Sequence, residues 1–360
     1  MMSDPGNHPV TTLRYDIIMA TRNRPEAVAL SLPLLLAQTR PPAHIFIVDS
    51  SDDGSAIAGL AQTAARQTTI PIHYIPAAAG LTLQRNIGLG QSQADVVIFP
   101  DDDSLLFPDA AARIMQVYEA DAEHRIAAVC ADAAPYAPAG MTGDLGSLDA
   151  EQMTGLRLSL RRLRQRIKEA LAVTNPFLVL GNRLNAQHPL PGWLVAAEAT
   201  PVPYMTGFRM SFRRAVIATT GFDEALRHYA WFEDIDASCS AMRQGLVVCA
   251  KRARIYHHRF AGARAGGGKM GRWAILNRGY IVMKHVDANP AVFPRRDRER
   301  LRLRLYCRAR VWAYRAMGRD EFGRDRARGA VAGLAQLDSL TACTGPALTA
   351  RYTALTQDMS

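Results

Sequence analysis

Three consecutive carboxylates, Asp101, Asp102 and Asp103, follow the apolar run Val96–Phe99 and Pro100. Acids this close repel one another unless a cation or hydrogen-bond donors compensate them. Hard oxygen ligands in such a cluster suit Mg²⁺ or Mn²⁺ held together with substrate phosphates. The simpler reading of an isolated triplet is a solvated acidic turn. Other residues give it company. Asp49 closes a second apolar run, in Ile47-Val48-Asp49-Ser50-Ser51, where a carboxylate can accept from a base N–H or a ribose hydroxyl. Part of that segment also reads as a turn into a helix capped near Ser55. Arg85 and Asn86 fall early in a predicted helix, where an arginine can pair with a diphosphate beside the helix N-terminus. Alone, Arg85 would read as a surface residue. Glu233, Asp234 and Asp236 follow Trp231 and Phe232 at the start of another predicted helix. Asp236 suits the positive end of that helix. The aromatic wall beside Glu233 and Asp234 would raise a carboxylate pKa into the range useful for proton transfer.

Positioning such groups requires a frame, and residues 14–131 supply the pattern of one. Strand and helix signals alternate there at α/β spacing. Strands are expected at Asp16–Thr21, His44–Val48, Ile70–Ile75, Asp95–Phe99 and Ile126–Ala131, with helices between them. Pro25 suits a first helical turn, and Pro33 should kink or shorten that helix. Alternation of this kind predicts a mostly parallel sheet with helices on both faces, whose ligands bind beyond the carboxyl ends of the strands. Residues 132–200 break the rhythm and contain one helix candidate, with Leu156, Leu160, Leu163, Ile167 and Leu171 on one face. Structure resumes with a strand at Tyr204–Phe212, a helix over Phe232–Gln244 and a strand at Leu246–Ala250. Gly262–Gly271, with five glycines, is expected to be a mobile loop that closes over a ligand. Beyond it the chain reads as helical, with a break at Asn289–Pro294.

The chain has 360 residues, 48% of them hydrophobic, enough for one large core or two modest ones. No apolar run is long enough to span a bilayer. Met1–Thr12 is polar, and the five cysteines are scattered without metal-like spacing, so the expectation is a cytoplasmic protein with reduced thiols. The formal charge of +10 is concentrated: residues 295–328 hold 13 arginines against 5 acids, and Arg157–Lys168 holds six cationic side chains. Within the first of these, Leu301, Leu305, Ala309, Trp312 and Ala316 recur at helical spacing. That stripe reads as the packed face of an amphipathic helix, whose rim of Arg302, Arg304, Arg308, Arg310 and Arg315 is either solvated or holds the protein on anionic membrane. The basic run lacks the interleaved exposed aromatics and recognised modules expected of a nucleic-acid binder, which argues against nucleic acid. Gly266-Gly267-Gly268-Lys269-Met270 lacks the spacing and hydroxyl of a phosphate-binding loop, and Gly88-Leu89-Gly90 lacks the third glycine of a dinucleotide fingerprint.

Taken in order, these pieces resemble glycosyltransferase family 2, over roughly residues 15–260. The resemblance rests on Thr21-Arg22-Asn23-Arg24, Asp49, Arg85-Asn86, Asp101–Asp103, Thr206-Gly207-Phe208-Arg209, Trp231-Phe232-Glu233-Asp234 and Tyr256-His257-His258. It implies the GT-A fold, a Rossmann-like, mixed but mostly parallel sheet flanked by helices. A catalytic domain over 14–260 would carry an acceptor-side insertion at 132–200. A glycine-rich loop and a basic helical extension would fill 261–360. The resemblance also implies roles. Thr21, Asn23 and Asp49 would hold the nucleoside, with Arg85 and Asn86 toward the diphosphate. Asp101 and Asp102 would lie near ribose and sugar. Asp103, with Asp101 and one histidine of the pair His257-His258, His257 being favoured, would bind Mn²⁺ or Mg²⁺. Asp234 would be the base and Glu233 would orient the acceptor. The activity implied is inverting transfer of a sugar from a nucleotide-diphosphate donor to a hydroxyl of a glycan, lipid-linked or polysaccharide acceptor, and the basic patches add the expectation of a peripheral place at the inner face of the membrane. The rival readings are a GT-A-like nucleotidyltransferase and a basic nucleic-acid- or membrane-binding protein. The first would need a pyrophosphate-gripping glycine segment near the first strand, and Thr21–Arg24 offers none.

Overall fold

A computed structural model describes residues 12–139, 174–226, 231–260 and 265–357. The helix candidate around Leu156–Leu171 and the basic stretch Arg157–Lys168 lie outside the described residues. Nine strands form one sheet: β1 (Tyr15–Thr21), β2 (His44–Asp49), β3 (Ile72–Pro76), β4 (Val96–Phe99), β5 (Ser104–Leu106), β6 (Ile126–Ala133), β7 (Ala199–Pro201), β8 (Met210–Arg213) and β9 (Leu246–His257). Their order is β3-β2-β1-β4-β8-β6-β9-β5, with β7 beside β9. The pairings among β1 to β4 are parallel, β8 runs antiparallel to both β4 and β6, and β6–β9 is parallel again.

The apolar runs of β1, β2 and β4 are nearly continuous because both sheet faces are covered. Ile17, Met19, Ile45, Ile47, Val96 and Ile98 enter one core cluster, whereas Ile18, Val48, Val97 and Phe99 enter the other. That split is the two-residue alternation of a strand. The first cluster is closed by α1 (Pro25–Leu36), α2 (Ser55–Ala65) and α4 (Ala110–Glu119). The second receives α3 (Leu81–Gln91), α5 (Pro176–Asn185), α6 (Arg214–Thr220) and α7 (Glu233–Ala241). Gly88 lets α3 approach the sheet: a Cβ there would lie 2.4 Å from Ile18 Cγ2. Helix α1 runs through Pro33 and ends within a turn of it, as the ring's missing N–H dictates.

The chain after residue 266 is helical: α8 (Gly267–Ala288), α9 (Arg296–Met317), α10 (Glu321–Thr341) and α11 (Gly345–Thr356). Two expectations are corrected here. The glycine-rich segment is not a loop as far as Gly271, because Gly267, Gly268 and Gly271 belong to α8. They serve close approach instead of mobility. A Cβ on Gly271 would lie 1.9 Å from the Arg326 carbonyl oxygen, and one on Gly267 2.3 Å from that of Phe322. On the facing helix, a Cβ on Gly329 would meet the Gly268 carbonyl oxygen at 1.9 Å. Packing of α8 on α10 offsets the poor helix propensity of these residues. With Gly267–Gly271 fixed this way, the expected mobile loop does not extend through the second half of the segment.

The second correction concerns α9. Its buried face is Leu303, Cys307, Val311 and Tyr314, while Leu301, Leu305 and Trp312 are exposed on the opposite side. Both stripes repeat at helical spacing, so periodicity alone does not choose between them.

The close packing predicts a mutational asymmetry. Gly271→Ala should lose about 1–3 kcal/mol, the range for forcing extra volume into a packed contact. Gly90→Ala, whose new Cβ meets nothing within 4 Å, should be neutral or gain a few tenths of a kcal/mol. Urea unfolding of both variants checks this, and a Gly271→Ala protein as stable as its parent would contradict the contact.

Candidate active site

The carboxyl ends of β1, β2 and β4 fall along one edge of the sheet, with Thr21 in register with Asp49 and Ala20 bridged to Asp101. The turn after β4 carries the three acids into β5. Ser104 of that strand pairs with His257 at the far end of β9. This antiparallel pairing brings the histidine to the triplet. The sequence shows β9 only as far as Ala250, since Lys251, Arg252 and Arg254 read as loop; they are the outward residues of a strand that turns from β6 toward β5.

Each acid of the triplet has a different environment. Asp102 is buried and accepts from Thr21 Oγ1 at 2.9 Å and Arg24 Nη1 at 2.7 Å. Asp103 Oδ2 accepts from Arg24 Nη2 at 2.7 Å and the Phe260 N–H at 3.2 Å. Its Oδ1 is buried, makes no hydrogen bond, and lies 3.3 Å from His257 Nε2. Asp101 Oδ1 accepts from Arg85 Nη2 at 2.9 Å. Burial pushes the Asp101 carboxyl up despite Arg85, and pushes Asp102 to about 7 against the pull of Arg24. Burial acts on Asp103 too, but His257 and Arg24 prevail and hold it at about 2. One ligand atom each from Asp101, Asp103 and His257 fall within 4.8 Å of one another.

These residues fit a divalent cation. The orphaned Asp103 Oδ1 points into the gap between Asp101 and His257, and two carboxylates with one imidazole match Mn²⁺ or Mg²⁺. His257 is oriented by stacking on Phe208, ring centroids 4.6 Å apart, whereas His258 sits edge-on to Phe260. Arg24 has no role in the sequence expectations. The signal for it was charge balance: three adjacent acids need a cation, and Arg24 follows the end of β1.

Glu233 and Asp234 open α7 on the other side of Arg85. Glu233 Oε1 accepts from Arg85 Nη1 at 2.7 Å. Asp234 accepts from the Gly207 N–H at 2.9 Å and the Ile235 N–H at 2.8 Å. Burial pushes both carboxyls up, and Asp234 raises Glu233 further. The Gly207 and Ile235 amides moderate Asp234, which reaches about 6. Phe232, just before them, has φ = 80°, in the left-handed region that a bulky side chain rarely adopts. Its ring is fixed by Trp231, stacked at 4.7 Å, and by Phe177, edge-on at 5.0 Å. Strain held by packing in this way is characteristic of functional sites. Gly207 completes the contact: a Cβ there would lie 3.3 Å from Glu233 Oε1 and 3.8 Å from Asp101 Oδ1.

Arg85 is therefore not presented to a diphosphate as expected. It is 1% exposed and its two terminal nitrogens are occupied by Glu233 and Asp101. Asn86 is turned away altogether, bonded to both backbone groups of Phe222 and to Glu224. On the nucleoside side, Asp49 accepts from the Ser51 N–H at 2.8 Å and from Tyr74 Oη at 3.0 Å, and Asn23 donates to Asp52 at 2.7 Å. Gln84 ties the strand ends together by donating to the carbonyls of Thr21 and Val48, both at 2.8 Å.

Asp236 points into the protein instead of capping its helix. It accepts from Lys284 at 2.8 Å and lies 2.9 Å from His285 Nε2, both on α8. Burial opposes its charge, but Lys284 and His285 outweigh it and hold the carboxyl well below the usual range. A depressed folded pKa stabilises the protein above the unfolded value near ~3.9 and loses that contribution as pH falls toward the folded value. Asp236→Asn should cost about 3 kcal/mol at neutral pH, the low end for a broken buried pair, since Lys284 keeps Asp223 at 2.6 Å. The gap between variant and parent should close below about pH 4. Denaturant melts from neutral to acid pH test it; a gap constant with pH would refute the charged pair.

Residues 16–174 match the model for glycosyl transferase family 2. No curated protein matches the sequence. Among solved structures, the chain is similar to the mannosyltransferase PcManGT from Pyrobaculum calidifontis, in complex with GDP-Man and Mn²⁺. The TM-score is 0.50 at 15% identity, covering 98% of this chain and 89% of that one. GalNAc-T7 with UDP, GalNAc and Mn²⁺ aligns with a TM-score of 0.48 at 11% identity, over 80% of this chain and 55% of that one. The segment 16–174 is thus similar to glycosyl transferase family 2, and the sheet and helices around it have the GT-A fold.

Proposed function

We propose that the protein transfers a sugar from a nucleoside-diphosphate donor to an acceptor hydroxyl with inversion at the anomeric carbon, as a metal-dependent enzyme. The observation that carries this is the juxtaposition, across one buried arginine, of a cation-ready cluster and a carboxylate pair with raised pKa. Asp101, Asp103 and His257 would hold Mn²⁺ or Mg²⁺, which supplies neutralisation of charge developing on a leaving diphosphate. Asp49 and Asn23 line the edge where a nucleoside would lie, and Tyr74 Oη beside Asp49 offers a further polar contact.

Asp234 is the proposed base. Both its oxygens are oriented by backbone donors, and neither is tied to a cation. A carboxylate near pKa 6 is ionised at neutral pH yet basic enough to take a proton from an attacking hydroxyl. Glu233 is locked to Arg85 and serves to position. Inversion belongs to the proposal: one displacement needs a single base facing the acceptor and no protein nucleophile, and Asp234 would be that base. Part of the acceptor side would be shaped by α5 and β7, the described remainder of residues 132–200.

The proposal is tested by release of nucleoside diphosphate across a panel of nucleotide sugars with Mn²⁺, with Mg²⁺ and with EDTA. One donor should be turned over, with EDTA abolishing turnover and Mn²⁺ or Mg²⁺ restoring it. Full activity in chelator would remove the metal assignment, as would metal-dependent donor binding by Asp103→Ala equal to that of the parent. For the base, Asp234→Asn should cut transfer by at least ~10²-fold while donor affinity changes little. Transfer at the parental rate would move the base elsewhere, and lost donor binding would place Asp234 in the nucleotide site.

A further inference from the structure

The exposed stripe of α9 has no covering element among the described residues. Leu301 is 56% exposed, Leu305 48% and Trp312 73%. At 100° per residue Leu301, Trp312 and Leu305 fall within about 40° of one another around the axis. They form one continuous strip, not scattered exposed side chains. Arg308 and Arg315 flank it on one side and Arg298 on the other; all three are exposed, and no guanidinium among them has a hydrogen-bond or ion-pair partner among the described residues. Elsewhere on the same helix arginines are paired, as Arg302 with Glu299 and Arg304 with Asp338. Unpaired cations are thus concentrated beside the apolar strip. Near the C-terminal end of the strip, Arg315, Arg324 and Arg328 line an open cleft of about 440 Å³ between α9 and α10.

We propose that this face of α9 docks the protein on an anionic membrane surface. The aliphatic and indole groups would enter the headgroup boundary, and the flanking arginines would meet lipid phosphates. An apolar strip edged by cations is the pattern of a helix lying in an interface plane, and the long arginine stems let the charges reach phosphates while their methylenes stay in apolar surroundings. A nucleic acid fits less well, because Trp312 is the one exposed aromatic on the strip and the remainder cannot stack bases. No described helix is long and apolar enough to cross a membrane, so attachment here is peripheral docking.

Flotation of the full chain with phosphatidylcholine vesicles, with and without phosphatidylglycerol, tests the inference. The protein should float with the anionic vesicles at low salt and much less at high salt. Removing one of Arg298, Arg308 or Arg315 as alanine should lower the partition coefficient about fivefold, the factor equivalent to ~1 kcal/mol per cation near an anionic surface. Leu305→Ser with Trp312→Ser should abolish flotation at high salt, while donor turnover without vesicles stays at the parental level. Circular dichroism of the double variant separates lost docking from lost folding, and quenching by brominated lipid should vanish in Trp312→Phe, which preserves packing. Three results overturn the proposal: no flotation at low salt, flotation by the double variant equal to the parent, or a dimer in light scattering that the double variant dissolves. Retention on DNA without flotation would assign the arginines to nucleic acid instead. None of these readouts depends on the identity of the donor sugar.

Discussion

The guanidinium of Arg85 is the interaction on which the site depends. It is fully buried between Asp101 and Glu233, so it joins the cation-ready edge of the sheet to the carboxylates of α7. Burying a charge is costly unless partners surround it, and removing one partner leaves the others uncompensated. The three groups are therefore interdependent. Arg85 opposes the burial that raises both acids, and their charges in turn hold the guanidinium in its buried place. Arg24 plays the same part for Asp102 and Asp103, but from a partly exposed position. Asp101, Asp102, Asp103 and Glu233 share only two arginines, and this shortage of positive charge is what makes the cluster able to hold a cation.

The fold makes that balance possible by topology. Parallel strands bring Thr21, Asp49 and Asp101 to one edge, and the antiparallel β5–β9 pairing returns His257 to it from late in the chain. Raising the acids of α7 opposite them requires the strained Phe232, which only the aromatic packing of Trp231 and Phe177 sustains. Precision at the edge comes from small, buried hydrogen bonds such as those of Gln84.

Much of this was legible in the sequence, for reasons that also explain what was not. The parallel strands read clearly because burial on two faces leaves unbroken apolar runs. The acids read clearly because charge directly after such runs is unusual. Strands β5 and β7, three residues each, carry too little pattern to detect, and the charged half of β9 hides a real strand. Arg85 and Asn86 are adjacent in sequence yet diverge in space, since successive helical residues point about 100° apart. Only tertiary contacts decide that one turns to the acids and the other to Phe222. The glycines of α8 misled for a similar reason: a missing side chain means freedom in a loop and intimacy in a helix pair, and the difference lies in α10, far along the chain.

The strand order has a bearing on how the chain reaches its native state. β8, at residues 210–213, lies between β4 and β6, so the middle of the sheet stays open until well over half of the chain has been synthesised. One face then waits for α8 to α11, whose side chains belong to the same core as Phe99 and Phe212. Contacts this distant in sequence slow folding and leave apolar edges uncovered meanwhile. On the ribosome, the nascent β1–β4 half would hold its metal-ready acids and its unpaired β4 edge exposed together, a stage at which chaperone engagement matters more than the stability of the finished fold.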